Sequence, residues 1–417
     1  MPGSAGQKVI PLLRQPVAAE ERADPRFRVP PPLSLYIHVP WCVQKCPYCD
    51  FNSHALSQPG GGHPEPVAIP EAAYLAALIA DIESALPLIW GRRVDSVFFG
   101  GGTPSLLSGA AVEQLLAVVR SYLPLLPSAE LTLEANPGTA EAARFAAYRA
   151  AGINRLSLGI QSFQPRHLQA LGRIHDDREA CAAIEIAQRC FDNINLDLMY
   201  GLPGQSLAEA VADLERALAF APAHLSCYQL TIEPHTAFAA RPPALPDADA
   251  AADMQDAIEA RLAASGYQHY ETSAFAQPGR QCRHNLNYWL FGDYLGIGAG
   301  AHSKLTLHDR VLRQMRWKRP EQYLSKAAAK APVHEEFAVA TAELPGDFMI
   351  NALRLVDGFP AALFELRSGL PLQRIEKALR QAEADGLLER RPELIVPTDR
   401  GRRFLNQLVQ RFLADHP

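Results

Sequence analysis

At 417 residues, 48% hydrophobic and 20% charged, the chain can bury a large core and divide into more than one domain. This balance excludes a disordered or fibrous protein, and a formal net charge of -5 excludes a bulk attraction to nucleic acid or to an anionic membrane surface. No uncharged run approaches the roughly 18 residues of a membrane span, and the N-terminus lacks the apolar core of a secretory signal, so a cytoplasmic chain with at most peripheral membrane association is expected.

Residues 1–32, rich in proline and charge, are expected to form an irregular arm. Residues 33–305 carry the main domain. The runs LSLYIHV, VDSVFFG, AELTLEA, RLSLGIQ, NINLDLM and HLSCYQLTI read as strands, and segments such as AAVEQLLAVVRSYL and LAEAVADLERALAF between them read as helices. That alternation is repeated βα architecture around a parallel sheet. Six units predict an α/β protein with a partial (β/α)6 barrel, a doubly wound sheet being the alternative; the regular spacing ends after Pro234. HALSQPGGGHPEP, residues 54–66, is expected to be a loop, with metal binding by His54 and His63 as its alternative reading.

Residues 306–417 are expected to form a smaller, mostly helical, winged-helix-like C-terminal domain. Three helical stretches follow residue 340, with LLERRPELIVPT between the last two as a short hairpin. Eleven basic and eleven acidic side chains in residues 341–417 lack the footprint of a DNA-binding module. The domain is therefore read as a cap on the barrel, with no nucleic-acid partner.

The chemistry is concentrated after the first strand. YIHVPWCVQKCPYCDF places Cys42, Cys46 and Cys49 within eight residues, and in a reducing compartment these read as metal ligands rather than a disulfide framework. Three thiolates on one tight loop suit adjacent irons of a 4Fe-4S cube, whereas a ferredoxin-type site would use a nearby fourth cysteine and a different spacing. Zinc, completed by a distant histidine, is the structural alternative.

In parallel barrels functional groups collect at the C-terminal strand ends, and the interior is expected to be filled by bulky apolar side chains. The second strand runs into Gly100, Gly101, Gly102, Thr103 and Pro104, where glycines admit a ligand close to the backbone. The third ends at Glu134, the fourth at Gln161, the fifth at Asp197 and the sixth near Gln229. Carboxylates there can accept bonds from ribose hydroxyls or an ammonium group. Arg173 can hold a carboxylate, a surface ion pair being its alternative.

CVQKCPYC, FGGGTPS, LEANP, LSLGIQSF, LGRIH and NLDLMYGLPGQ, in this order and spacing, resemble the radical S-adenosylmethionine enzymes, in the branch related to oxygen-independent coproporphyrinogen III oxidase. The resemblance runs from Leu33 to the C-terminus. It implies a 4Fe-4S cluster on Cys42, Cys46 and Cys49, and an S-adenosylmethionine site lined by Tyr36, Tyr48, Gly101, Gly102, Thr103 and Glu134, with Tyr48 against the adenine. Gln161, Arg173 and Asp197 match positions that contact a second S-adenosylmethionine in the oxidase.

The oxidase motif continues with a fourth cysteine where this chain has Phe51. That departure, with CDFNSH and RHNLNYW at residues 283–289, resembles the family's haem chaperone branch. It implies a chain that binds haem and passes it to apoproteins, those of respiration among them, with His284 of the HNxxYW signature as the candidate haem contact; a packed core histidine is the alternative. The oxidase reading implies instead an electron donor and radical decarboxylation of porphyrin propionates to vinyls. GIGAG, residues 296–300, lacks the acidic partner of a dinucleotide site. His302 is expected at the barrel mouth, Cys181, Cys190 and Cys227 read as buried small hydrophobes, and Cys282 is left open.

Overall fold

The computed structural model describes residues 25–56, 69–89, 91–138 and 142–414. The six expected strands form as Leu33–Val39, Val94–Gly101, Leu125–Ala135, Arg155–Gln161, Ile194–Tyr200 and His224–Gln229. They lie side by side in chain order, all parallel. Asp293–Ile297 adds a further parallel strand beside the first. Antiparallel strands then extend both edges: His302–Thr306, Val311–Arg316 and Val333–Ala338 on one side, Ala274–Ala276 and Gln268–Glu271 on the other. The sheet order has two ends, as a partial barrel requires.

Local sequence explains where the helices start. Asp176 with Glu179, and Ser206 with Glu209, form capping boxes that open the helices Asp177–Cys190 and Leu207–Leu218, each pair satisfying two otherwise orphaned backbone donors. With Glu71–Ile89 and Gly109–Tyr122 these helices bury one face, including Leu78, Leu115, Ile184 and Leu214, against Leu35, Ile37, Leu133 and Leu196 of the strands.

The other face of those strands departs from the expected apolar barrel filling. Alternate positions carry Ser34, Tyr36 and His38 on the first strand, Glu130 and Glu134 on the third, Ser157 on the fourth, Asn195 and Asp197 on the fifth, and His224 and Ser226 on the sixth. Hydrogen bonds join them across strands, as between Ser34 and Ser96 and between Ser157 and Asn195. The apolar half of each strand's period-two pattern is spent on the helices, so the inner half can be polar provided each group finds a partner.

Glu71–Ile89 is long and apolar enough, by length and composition alone, to cross a membrane. Here it is a core helix. Its Asp81 is fully buried and paired at 3.1 Å with the equally buried Arg316 of an edge strand, and Tyr323 donates to the same carboxylate at 2.9 Å.

The C-terminal region is mostly helical and carries a hairpin, but three α-helices rather than two precede that hairpin and two short ones, Asp399–Arg403 and Leu405–Gln410, follow it. Helices Leu344–Ala352, Ala361–Ser368 and Glu376–Ala384 precede a hairpin of Leu388–Arg390 and Leu394–Pro397, to which Phe359–Pro360 adds a third strand. Phe348 meets Phe359 and Phe364 edge-on at ring separations of 5.2 and 5.3 Å. The main sheet runs on to Ala338, past the 305/306 division expected from sequence, because strands 302–338 hydrogen-bond to the barrel edge. The second core is built chiefly from Val339 onward, with Phe291 and Val311 reaching into it.

Candidate cofactor site

The cysteine loop leaves the first strand and is closed by a short parallel pairing of Trp41–Cys42 with His54–Ala55. Lys45 Nζ donates to the carbonyls of Phe51 and Ser53 at 3.3 and 3.2 Å, bracing the turn from within. Asn52 Nδ2 ties it to the barrel by donating to the carbonyls of Ala299 and Lys318 at 2.9 and 2.8 Å. Asn52 lies directly against Gly300, whose φ is +79°, so a side chain there would collide with the Asn52 amide that holds the loop. The GIGAG run is thus a seat for the cysteine loop, not a nucleotide turn.

Cys42, Cys46 and Cys49 are free thiols on one wall of a cavity of about 300 Å³ at the barrel mouth. Gly101, Gly102 and Thr103 form another wall. A Cβ on Gly102 would stand 2.5 Å from the Trp41 carbonyl oxygen, so only glycine lets this turn lie against the cysteine loop. Among the described residues no three His, Cys, Asp or Glu side chains converge as a single-ion site. The thiols open together on a space large enough for a bulkier group.

Arg173 reaches the same cavity. It donates to Asn136 Oδ1 at 2.6 Å and to the Gly159 carbonyl at 2.7 Å, and lies 3.8 Å from Cys46 Sγ. No carboxylate pairs with it among the described residues, so the surface ion-pair alternative falls and its charge is directed at the thiols and the cavity. Burial pushes the Cys42 and Cys49 thiols up, so metal loading must displace protons there.

Gln161 lines the cavity with φ +67°, a conformation costly for a residue with a Cβ and characteristic of functional turns. Asp197 accepts from Ser157 Oγ at 3.0 Å and Asn195 Nδ2 at 2.8 Å. Glu134 also lines it, and burial first, then the charge of Asp197, pushes its carboxyl up to about 8.

That shift has a sign. Glu134 binds its proton more tightly in the folded chain than at the ordinary carboxyl value of 4.5, so its contribution to stability is complete below about pH 4.5 and is lost as pH climbs to about 8. Glu134→Gln, without ligand, is therefore expected to gain stability over the parent chain as pH rises through that window. The gain should be on the order of 1 kcal/mol per pKa unit, read as denaturant midpoints at pH 5 and 8.5; equal midpoint differences at both would contradict it.

Among the residues that the family resemblance assigns, Tyr36 and His284 lie off the cavity, as does Gln229 at the end of the sixth strand. Tyr36 points into the barrel below it, with its hydroxyl 3.1 Å from His38 Nδ1. His284, 3% exposed, stacks on Phe98 at a ring separation of 4.8 Å and tilts against Tyr288 at 5.1 Å. Its Nδ1 is 3.0 Å from Ser96 Oγ, and its Nε2 is buried without a partner. In this arrangement its ring is packed inside the barrel. Cys282 is buried and donates to Glu130, His302 is exposed, and His63 lies outside the described residues, as do residues 1–24 of the arm. Asn136, Ser157, Gly159, Met199 and Tyr228 also line the cavity and escaped the sequence reading; period-two alternation along the strands is the signal that marks Ser157 and Gly159.

A parallel βα array with three thiols at the mouth, facing a glycine turn and buried carboxylates, defines a radical S-adenosylmethionine scaffold. Residues 36–217 match the radical SAM superfamily and residues 341–404 the HemN C-terminal domain. The structure is similar to that of coproporphyrinogen III oxidase (HemN) from Escherichia coli, a radical SAM enzyme, at a TM-score of 0.76 and 25% identity, covering 94% of this chain and 92% of that one. Over 387 residues the chain is 48% identical to heme chaperone HemW of Escherichia coli (strain K12), covering 92% of this chain and 99% of that protein. It is 39% identical to heme chaperone HemW of Mycobacterium tuberculosis (strain ATCC 25618 / H37Rv), covering 92% and 95%. The chain belongs to the HemW family. Membership in the wider superfamily implies a 4Fe-4S cluster and S-adenosylmethionine.

Proposed function

We propose that this chain is a haem chaperone that carries a 4Fe-4S cluster on Cys42, Cys46 and Cys49, binds S-adenosylmethionine in the adjoining cavity, and delivers haem to acceptor apoproteins, those of respiration included. The observation that carries the reading is similarity to heme chaperones over nearly the whole of both chains. Phe51 supports it. This residue is 58% exposed at the cavity rim, where the related oxidase motif has a cysteine.

When bound, the cluster supplies an iron corner with no protein ligand, which suits chelation by the amino and carboxylate groups of methionine. The chain's own residues do the positioning. Arg173 holds a carboxylate, Glu134 and Asp197 accept from ammonium and hydroxyl groups, and Tyr48, backed by Phe238 at a ring separation of 6.5 Å, offers a ring face to the adenine. These carboxylates and the guanidinium are partly desolvated, so each bond to a charged ligand is worth more than at the surface.

His284 is the haem contact in this reading. Its unpartnered Nε2 would supply an imidazole nitrogen to haem iron, and the helix Arg283–Trp289 would have to shift to expose it. Haem titrated into the anaerobically reconstituted protein is expected to bind stoichiometrically, with affinity falling about tenfold or more, that is by about 1.4 kcal/mol or more, in His284→Ala. Conversion of coproporphyrinogen III to protoporphyrinogen at catalytic rates, given reductant and S-adenosylmethionine, would place the chain with the oxidases instead.

A further inference from the structure

Behind the cavity a series of hydrogen bonds crosses the barrel interior. Asn195 Nδ2 donates to Asp197 Oδ1 at 2.8 Å and to Ser157 Oγ at 2.7 Å, which leaves its Oδ1 as the acceptor. That oxygen receives Ser226 Oγ at 3.1 Å and lies 2.6 Å from His224 Nδ1. His224, kept neutral by burial, therefore carries its proton on Nδ1 and presents Nε2 as an acceptor 2.8 Å from Tyr270 Oη. The tyrosine hydroxyl must donate there, and it accepts the backbone N–H of Cys282 at 3.2 Å. Each assignment follows from the one before it.

Every donor in the series points the same way, from Cys282 to Asp197. Its side chains are buried, none more than 4% exposed between Asn195 and Cys282. Cys282 is the residue that opens the helix Arg283–Trp289. Glu130 Oε1 accepts from the backbone of Arg283 at 2.9 Å and of His284 at 3.4 Å at the same end. A buried polar cluster needs only to be satisfied; it does not need one direction, nor to end on the cavity at one side and on the His284 helix at the other.

We propose that Asn195, His224 and Tyr270 are positioning residues that couple occupancy of the cavity at Asp197 to the seating of the helix bearing His284. The proposal rests on the reading that the cavity takes S-adenosylmethionine and His284 takes haem. A ligand hydroxyl or ammonium on Asp197 competes with Asn195 for the carboxylate. With its amide orientation fixed by two donors and two acceptors, Asn195 passes the change to His224 and Tyr270, and so to the first turn of the helix. The helix is the two-state element, closed over His284 when the series is intact. Coupling of this kind is reciprocal, so each ligand changes the affinity of the other by the same factor.

The test is the haem dissociation constant of the cluster-loaded full chain with and without saturating S-adenosylmethionine. It is measured for the parent, for Tyr270→Phe and for Tyr267→Phe, whose lost hydroxyl donates only to the Pro222 carbonyl outside the series. The parent and Tyr267→Phe are expected to show a change of about fivefold or more. Tyr270→Phe is expected to bind both ligands with a ratio near one. Should Tyr270→Phe fold poorly, His224→Gln carries the same expectation. Retention of the parent's ratio in either series variant, or a parent that binds both ligands without influence between them, overturns the proposal. A parent that binds no haem defeats the haem reading alone. The coupling is then read as the change in amide hydrogen exchange at 282–289 on adding S-adenosylmethionine, expected in the parent and lost in Tyr270→Phe; its absence from the parent overturns the coupling.

Discussion

Cys46→Ala is expected to give a folded chain that retains neither iron nor inorganic sulfide after anaerobic reconstitution, with S-adenosylmethionine binding weakened by more than about 100-fold. The loop supplies three thiols and no spare. Cys227 and Cys282 are buried beneath the site, and Cys181 and Cys190 belong to the helix Asp177–Cys190 and pack against the core. Fold should survive, because the loop's placement depends on Lys45, Asn52 and the Trp41–Cys42 pairing rather than on the thiols. Iron and sulfide analysis beside a thermal melt separates the two effects. Parent-like iron content in Cys46→Ala would show that the cluster is held elsewhere.

Arg316→Ala is expected to cost about 3–5 kcal/mol of stability, read as a fall in denaturant midpoint, because it leaves a buried carboxylate without its counter-charge. Arg316 binds Asp81 at 3.1 Å, Ser303 Oγ at 2.7 Å and Gln314 Oε1 at 3.0 Å, with both ionic side chains fully buried. Among the described residues, only the Tyr323 hydroxyl and the Gly298 N–H would still serve Asp81. The latter contact links stability to the site, since Gly298 begins the turn on which Asn52 seats the cysteine loop. The variant should therefore also hold its cluster less tightly. Replacing both partners by apolar residues of similar volume should recover much of the loss; if the single variant were as stable as the parent, the pair would not organise this edge of the sheet.

The parts of the fold that follow from spacing were legible in the sequence. Strand–helix alternation locates the six parallel strands, and the segments 176–179 and 206–209 announce two helix starts through capping boxes. The strand at 293–297 was hidden. DYLGI is short, and it joins the parallel set only because it pairs with the first strand across some 250 residues of chain, a partner that local periodicity cannot name. The polar interior was written in the same strands, as Ser-Leu-Tyr-Ile-His and Asn-Leu-Asp-Leu, but reading them under a rule of apolar barrel filling masked it.

At the site, Cys42, Cys46, Cys49, Gly101, Gly102, Glu134 and Asp197 were marked by residue type at strand ends. Arg173 was legible as a cation, but its partners Asn136 and Gly159 arise from tertiary packing. His284 shows the opposite case. A signature segment drew attention to an imidazole, and only the structure shows that it is shut behind Phe98 and Tyr288.

Binding of S-adenosylmethionine in the cavity requires a cluster whose fourth iron is free to meet a ligand there. Mössbauer spectra of the reconstituted full chain, recorded with and without S-adenosylmethionine, test that directly. A single iron whose parameters shift when S-adenosylmethionine is added is the predicted result. Four irons indifferent to it, or stoichiometric zinc in place of iron, would contradict the account.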